Sequence, residues 1–236
     1  MASEIENLDL IRNSMFDSGK EVIKNNPSID NRRDIRVLTF FKMSEVVTTA
    51  RLGLVFIQTF KKNPELLKDN PALQNSFDQH PMRFEEFERF IKATYIQNIF
   101  IILEASLRNF LRELSPHSCS KGTSSFKNIY EKLFKELQLN NPLREKFFTV
   151  LDFWREIRNS VHNNFVYFSS KEESITISYK GLPFLFENGK PVSFLKWELL
   201  YLLTCDLEEI FIEIINQEAI KKIHLMIDPA NIYTAS

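Results

Sequence analysis

Arg155, Arg158 and His162 are the residues whose types and spacing point most directly to chemistry. They stand at i, i+3 and i+7 within the segment Trp154–Asn164. At about 100° per residue a helix gathers the three into an arc of roughly 60°. They flank an apolar stripe centred on Trp154 and Val161, so two cations and an imidazole lie at the edge of a buried face. Such an edge becomes a cleft or an interface when something packs on it. The chemistry this suits is phosphodiester cleavage without metal, in which a ribose 2′-OH attacks the neighbouring phosphorus. That reaction needs a proton acceptor for the hydroxyl, a donor for the leaving oxygen and positive charge on the phosphorane. Histidine serves either proton role near neutral pH. Arginine offers a planar fork that matches phosphate and stays charged. One helix supplies one histidine, and two copies related by a dimer axis supply the full set.

Plainer roles stand beside these. His162 at a helix C-terminus favours the dipole when charged, and Arg158 can pair with a carboxylate. Asn163 and Asn164 suit a helix cap, since Asn tolerates the left-handed conformation. Asn159 either orients His162 one turn away or faces solvent. Glu104 and Arg108 stand at i, i+4 in the favourable order for a helix ion pair, with a polar contribution to the groove as the sharper reading. Gln97 and Asn98 lie on a mostly apolar helix and need partners if buried. His117 and Cys119 share a loop without a second ligand pair, which argues against a metal site. His80 and His224 are isolated. The pairs Arg32-Arg33, Lys61-Lys62 and Lys221-Lys222 read as solvated faces or as a path for RNA.

The elements that must position these residues are mostly helical. Ile5, Leu8, Ile11 and Met15 predict a helix over 4–25, broken at Asn26-Pro27. Asp30 then caps a long helix to about Lys62, and Pro64 opens a short one ending near Asp69-Asn70-Pro71. His80-Pro81 marks another break. Residues 83–114 give the strongest pattern, apolar on two faces, and so a central helix ended by Ser115-Pro116. Thr123 or Ser124 caps a helix to about Leu139. Asn140-Asn141-Pro142 starts the next, which carries Phe147, Val150, Leu151, Trp154, Ile157 and Val161 on one face and ends near Asn163-Asn164. Alternation over Ser174–Tyr179 predicts a strand. Leu182–Glu187, Asn188-Gly189 and Lys190–Phe194 read as a hairpin with a type I′ turn. Residues 195–217 return to helix, and the stretch from Ala219 is ambiguous. The expected fold is mainly α, a helical bundle with a small β-hairpin insert before the last long helix. One domain spans 1–236, with a helical extension over 1–80.

Composition agrees. Phenylalanine numbers 22 against 5 glycines, which suits aromatic cores between helices and argues against a phosphate-cradling loop or an all-β fold. Hydrophobic residues make 44% and charged residues 26% of the chain, as in a globular protein with a real core. The formal net charge is −1, so any nucleic-acid contact must be a local patch. Cys119 and Cys205 stand far apart, which favours a reducing cytoplasm over a disulfide framework. The acidic N-terminus lacks the apolar stretch of a signal peptide. The apolar windows Val46–Phe60 and Ile96–Leu107 are interrupted by polar residues, and no membrane span is expected.

The stretch Ile157-Arg158-Asn159-Ser160-Val161-His162-Asn163 resembles the signature of the HEPN (higher eukaryotes and prokaryotes nucleotide-binding) domain family. There an Arg, a polar residue often Asn, and a His a few positions on close a helix. Phe100–Arg108 resembles the earlier core helix of such domains, and the likeness extends loosely over residues 83–217. It implies an up-down helical bundle, a homodimer and a composite site in the dimer groove. Many members are metal-independent endoribonucleases of toxin–antitoxin and phage-defence systems; others bind RNA, nucleotide or protein without cleaving. On this resemblance Arg158, Asn159 and His162 are the expected catalytic residues, supported by Arg155, Asn163, Glu104 and Arg108. No cofactor or metal is expected, and the expected partners are a second copy, RNA, and an antitoxin or effector protein. The family's Arg-to-His spacing is usually four to six intervening residues. Here three lie between Arg158 and His162 and six between Arg155 and His162, so either arginine can be the family's. A toxin subgroup carries Tyr two positions after the His, where this chain has Asn164, so modification of that Tyr by a partner nucleotidyltransferase has no counterpart here.

Overall fold

Ser3 caps the first helix with its side chain, and Glu6 returns the bond to the Ser3 backbone, which satisfies two of the orphan donors of a helix start. The helix is α1 (Glu4–Asn25), and its buried stripe is Leu8, Ile11, Met15 and Val22. The computed structural model describes residues 3–68, 71, 83–119 and 125–228. In it α1 is followed by α2 (Ile35–Lys62), α3 (Glu65–Lys68), α4 (Arg83–Leu114), a 3₁₀ turn (Pro116–Cys119), α5 (Phe126–Glu136) and α6 (Asn141–His162). After these come β1 (Ile175–Tyr179), β2 (Leu182–Phe186), α7 (Trp197–Asn216) and α8 (Glu218–Lys221). The chain is mainly helical with one small antiparallel two-stranded sheet.

Helix α7 runs through the middle of the packing. Its Phe211 ring meets Phe40 of α2 and Phe110 of α4 edge-on. Its Thr204 hydroxyl hydrogen-bonds Tyr95 of α4 at 2.7 Å, and its Leu203 carbonyl accepts the Trp154 indole N–H of α6 at 3.3 Å. Its buried Glu208 accepts hydroxyl bonds from Ser14 and Ser18 of α1, so a buried carboxylate keeps hydrogen-bond partners. Buried residues of α1 and α2 belong to the same hydrophobic cluster as those of α4, α6 and α7.

Several expected boundaries move. Asp34, not Asp30, caps α2, its side chain accepting from the Arg36 N–H. Residues 30–33 instead form turns that return Asp34 to a bridge with Ile227. Asp34 is fully buried and forms an ion pair with Arg36 at 2.6 Å. Arg36 also donates to the carbonyls of Ile220 and Ile223, which clasps the start of α2 to α8 and the segment that follows it. Ser125 caps α5, and Thr123 and Ser124 lie outside the described residues, as do His80-Pro81 and Lys121-Gly122. Helix α5 stops at Glu136, where Gln138 turns left-handed at φ 53°. By length and composition α4 is apolar enough to cross a membrane, which the shorter windows read from the sequence did not capture. Most of its apolar side chains from Ile91 to Leu111 pack in the core, while Ile101 is exposed.

The hairpin also differs. Strand β1 pairs with β2, with Tyr179 opposite Leu182. The turn is Lys180-Gly181, at φ 49° and 78°, the two positive values of a type I′ turn. At Asn188-Gly189 only Gly189 has positive φ, so that turn cannot be type I′. It directs Lys190–Val192 to pair with Phe165–Tyr167 rather than with β2. Phe153 of α6 holds the sheet in place through ring contacts with Tyr179, Phe184, Phe186 and Phe194.

Candidate functional site at the end of helix α6

Helix α6 begins as its sequence prescribes, with the Asn140 side chain accepting from the Leu143 N–H and Pro142 in the first turn. Phe147, Leu151, Phe153, Trp154 and Ile157 are fully buried, and this fixes the rotation of the helix. Arg155, Arg158 and Asn159 are thereby left half-buried at its edge, and His162 exposed at its end.

The two arginines have different surroundings. Arg155 is saturated: it lies 2.5 Å from Asp152, bonds Glu156 at 2.6 and 2.8 Å, and reaches the Tyr130 hydroxyl at 3.3 Å. Burial works against its charge, yet Glu156 and Asp152 outweigh it and raise its pKa. Tyr130, buried and donating to Asp152 at 2.6 Å, has its pKa pushed up in turn. Arg158 has no carboxylate within ion-pair distance among the described residues. Its guanidinium lies 5.3 Å from the centre of the Phe100 ring of α4 and touches only the Asn159 side-chain oxygen, at 3.3 Å.

His162 makes no side-chain hydrogen bond among the described residues. Burial of the ring lowers its pKa, and the charge of Arg158 one turn back lowers it further. The imidazole is therefore neutral over more of the physiological range than an ordinary histidine, which is the form that accepts a proton. Asn159 sits between the two, its side-chain oxygen committed to Arg158 and its backbone carbonyl to the Asn163 amide at 3.1 Å. Asn163 is the C-cap. Asn164 and Phe165 follow at φ 57° and 66°; two left-handed residues in a row, one of them an aromatic, are an uncommon way to leave a helix.

The structure thus joins Arg158, Asn159 and His162 on one edge and diverts Arg155 into an internal network. Glu104 and Arg108 form an ion pair at 2.6 Å along α4 and line a separate depression with Asn109, Arg112 and Asp228. Asn98 satisfies itself on the Thr94 carbonyl. His117 and His224 are exposed, and no cluster of potential metal ligands occurs among the described residues.

Arg89, which the sequence did not single out, belongs to the neighbourhood. It is exposed on α4, donates to the Asn164 carbonyl at 2.7 Å, and stacks 5.1 Å from the Phe165 ring centre. It lies 75 positions from Asn164 in sequence, so no local pattern announces it. The chain matches no protein-family model, and no curated protein or solved structure is detectably similar to it.

Proposed function

We propose that the chain is a HEPN-like, dimeric, metal-independent endoribonuclease of the toxin or phage-defence kind, in which Arg158 and His162 act on the scissile phosphate. The observation that carries this reading is the pairing of a guanidinium that no described carboxylate neutralises with an exposed imidazole of lowered pKa, one turn apart on one helix edge. His162 takes the 2′-OH proton in its neutral form, and Arg158 offsets the charge that develops on the phosphorane. The 2′-oxygen bonds to phosphorus as the 5′-oxygen leaves, and the second proton role falls to His162 of a symmetry mate. Asn159 acts as a positioning residue through its bond to Arg158. A second reading is a HEPN-like dimer that binds RNA, nucleotide or a partner protein without cleaving. It is favoured by the lack of any side-chain partner orienting the His162 ring among the described residues.

The test is cleavage of RNA by purified protein with a chelator present, with wild type beside His162→Ala and Arg158→Ala. The expected result is cleavage by wild type and its loss in both variants. Binding of RNA by all three without cleavage would leave the non-catalytic reading standing, and activity retained in His162→Ala would remove the assignment.

A further inference from the structure

We infer that the seam between α4 and α6 is a track for single-stranded RNA. Arg158 and Arg89 mark its ends, and Arg89 holds a further phosphate of the strand whose scissile phosphate lies at His162. This inference rests on the reading of Arg158 and His162 as an RNA-directed site.

Both arginines are presented in the same manner. Each guanidinium sits over a phenylalanine ring, Arg158 over Phe100 at 5.3 Å and Arg89 over Phe165 at 5.1 Å from the ring centre. Each makes one hydrogen bond, and neither has a carboxylate within ion-pair distance, among the described residues. A guanidinium carries five N–H donors, so most of each fork stays available to a ligand. An aromatic neighbour restrains where the fork can move, which favours phosphate recognition over a freely mobile surface charge.

Their placement gives a direction. Going forward along α6 from Arg158 to the turn at Asn164 and Phe165, the contact on α4 moves back from Phe100 to Arg89. The two helices therefore run antiparallel here, and His162 lies between Arg158 and Asn164 along α6. Phe100 and Arg89 are separated by about 16 Å along α4 at the helical rise per residue, which is room for more than one nucleotide of an extended strand. Beside Arg89 opens a depression of about 540 Å³ whose walls include Phe165, Pro191, Val192 and Leu195. It has apolar surface for a base and a cation at its rim, the combination used by single-strand binders. Two glutamates share it. Glu88 is occupied by the Trp197 N–H at 3.2 Å and by Lys92 at 4.0 Å, and Glu85 is exposed in the first turn of α4. The left-handed backbone at Phe165 is held by its N–H on the Ser160 carbonyl and by the Val192 N–H on its own carbonyl. These bonds hold the ring under Arg89 at a backbone cost that a simple chain exit does not require. For a chain of net charge −1, such a local patch is what phosphate binding needs.

The test uses the full chain carrying His162→Ala, so that cleavage does not obscure binding, and a fluorescent single-stranded oligouridylate as probe. Arg89→Gln keeps a donor for the Asn164 carbonyl and removes the charge. The expected result is a loss of affinity of about tenfold and a salt dependence shallower by about 0.7, the value of one phosphate contact on a single strand. Phe165→Leu, which removes the prop, is expected to weaken binding in the same direction. Should Arg89→Gln fail to fold, Arg89→Lys carries the test: it keeps the salt slope while losing affinity with the fork. Affinity unchanged in Arg89→Gln, or in Arg89→Lys where it stands in, overturns the track and leaves the Arg158–His162 reading intact. A parent that binds no single-stranded RNA overturns both.

Discussion

Replacing each of the two α6 arginines by alanine separates a structural cation from a functional one. In Arg155→Ala the carboxylate of Glu156, whose side chain is 10% exposed, loses both of its short donors, and Asp152 loses its cation while keeping the Tyr130 hydroxyl. Breaking a buried pair by removing one member costs about 3–5 kcal/mol. Because solvent reaches 25% of the Arg155 side chain and 30% of Asp152, the cost here scales down to about 2–3 kcal/mol. For a chain of this size that lowers Tm by roughly 4–12 °C. Arg158→Ala gives up one 3.3 Å contact and one ring contact, worth about 0.5–1 kcal/mol at a partly exposed site. Its Tm should therefore fall by no more than about 4 °C. Thermal melting by circular dichroism, with RNA cleavage assayed well below both melting points, reads the two effects separately. The expected pattern is a destabilised Arg155→Ala that still cleaves while folded, and a stable Arg158→Ala that does not. The opposite pattern, with Arg155→Ala stable and inactive, would refute the reasoning and move the phosphate role to Arg155.

Two further outcomes follow from the geometry. The His162 ring, followed by NMR titration, should lose its proton at a lower pH than an ordinary histidine, near 6.5. Arg158→Gln should move that midpoint upward while burial keeps it from full recovery; a midpoint indifferent to the substitution would mean that the two side chains do not face one another. Arg36→Ala leaves Asp34 as an unpaired, fully buried carboxylate and frees the carbonyls of Ile220, Ile223 and His224. Urea denaturation should register a loss of about 3–5 kcal/mol, and a loss below about 1 kcal/mol would show that the clasp contributes little.

What the sequence discloses depends on how local the determining interaction is. Helices α4 and α6 carry long apolar stripes, and α6 has a local cap, so Arg83–Leu114 and the Asn140 start are legible from periodicity and residue type. The hairpin turn is not. Asn-Gly is the stronger local signal, but β1 and β2 lie on either side of Lys180-Gly181. The segment after Gly189 is claimed by Phe165–Tyr167, a partner more than twenty residues away. Asp34 outcompetes Asp30 as a cap for a similar reason: the Arg36 guanidinium and the Met226 N–H both donate to it, and Arg36 is itself held by distant carbonyls. At the site, the arc of Arg155, Arg158 and His162 is plain from spacing. Only the fold separates the arginines, because Tyr130 comes from α5 and Phe100 from α4.

The clasp at the start of α2 also sets a condition on synthesis. The Met226 N–H reaches the Asp34 carboxylate across 192 positions of chain. While the ribosome is still adding α4, α6 and α7, the nascent α2 carries an Asp34–Arg36 pair whose burial awaits residues 220–226. Contacts of such long sequence separation form late and slowly. A polypeptide released before Ile220 would have a complete Arg158–His162 edge yet lack the last turn that covers this charge pair. Such fragments are expected to be cleared as unfolded chains rather than to persist.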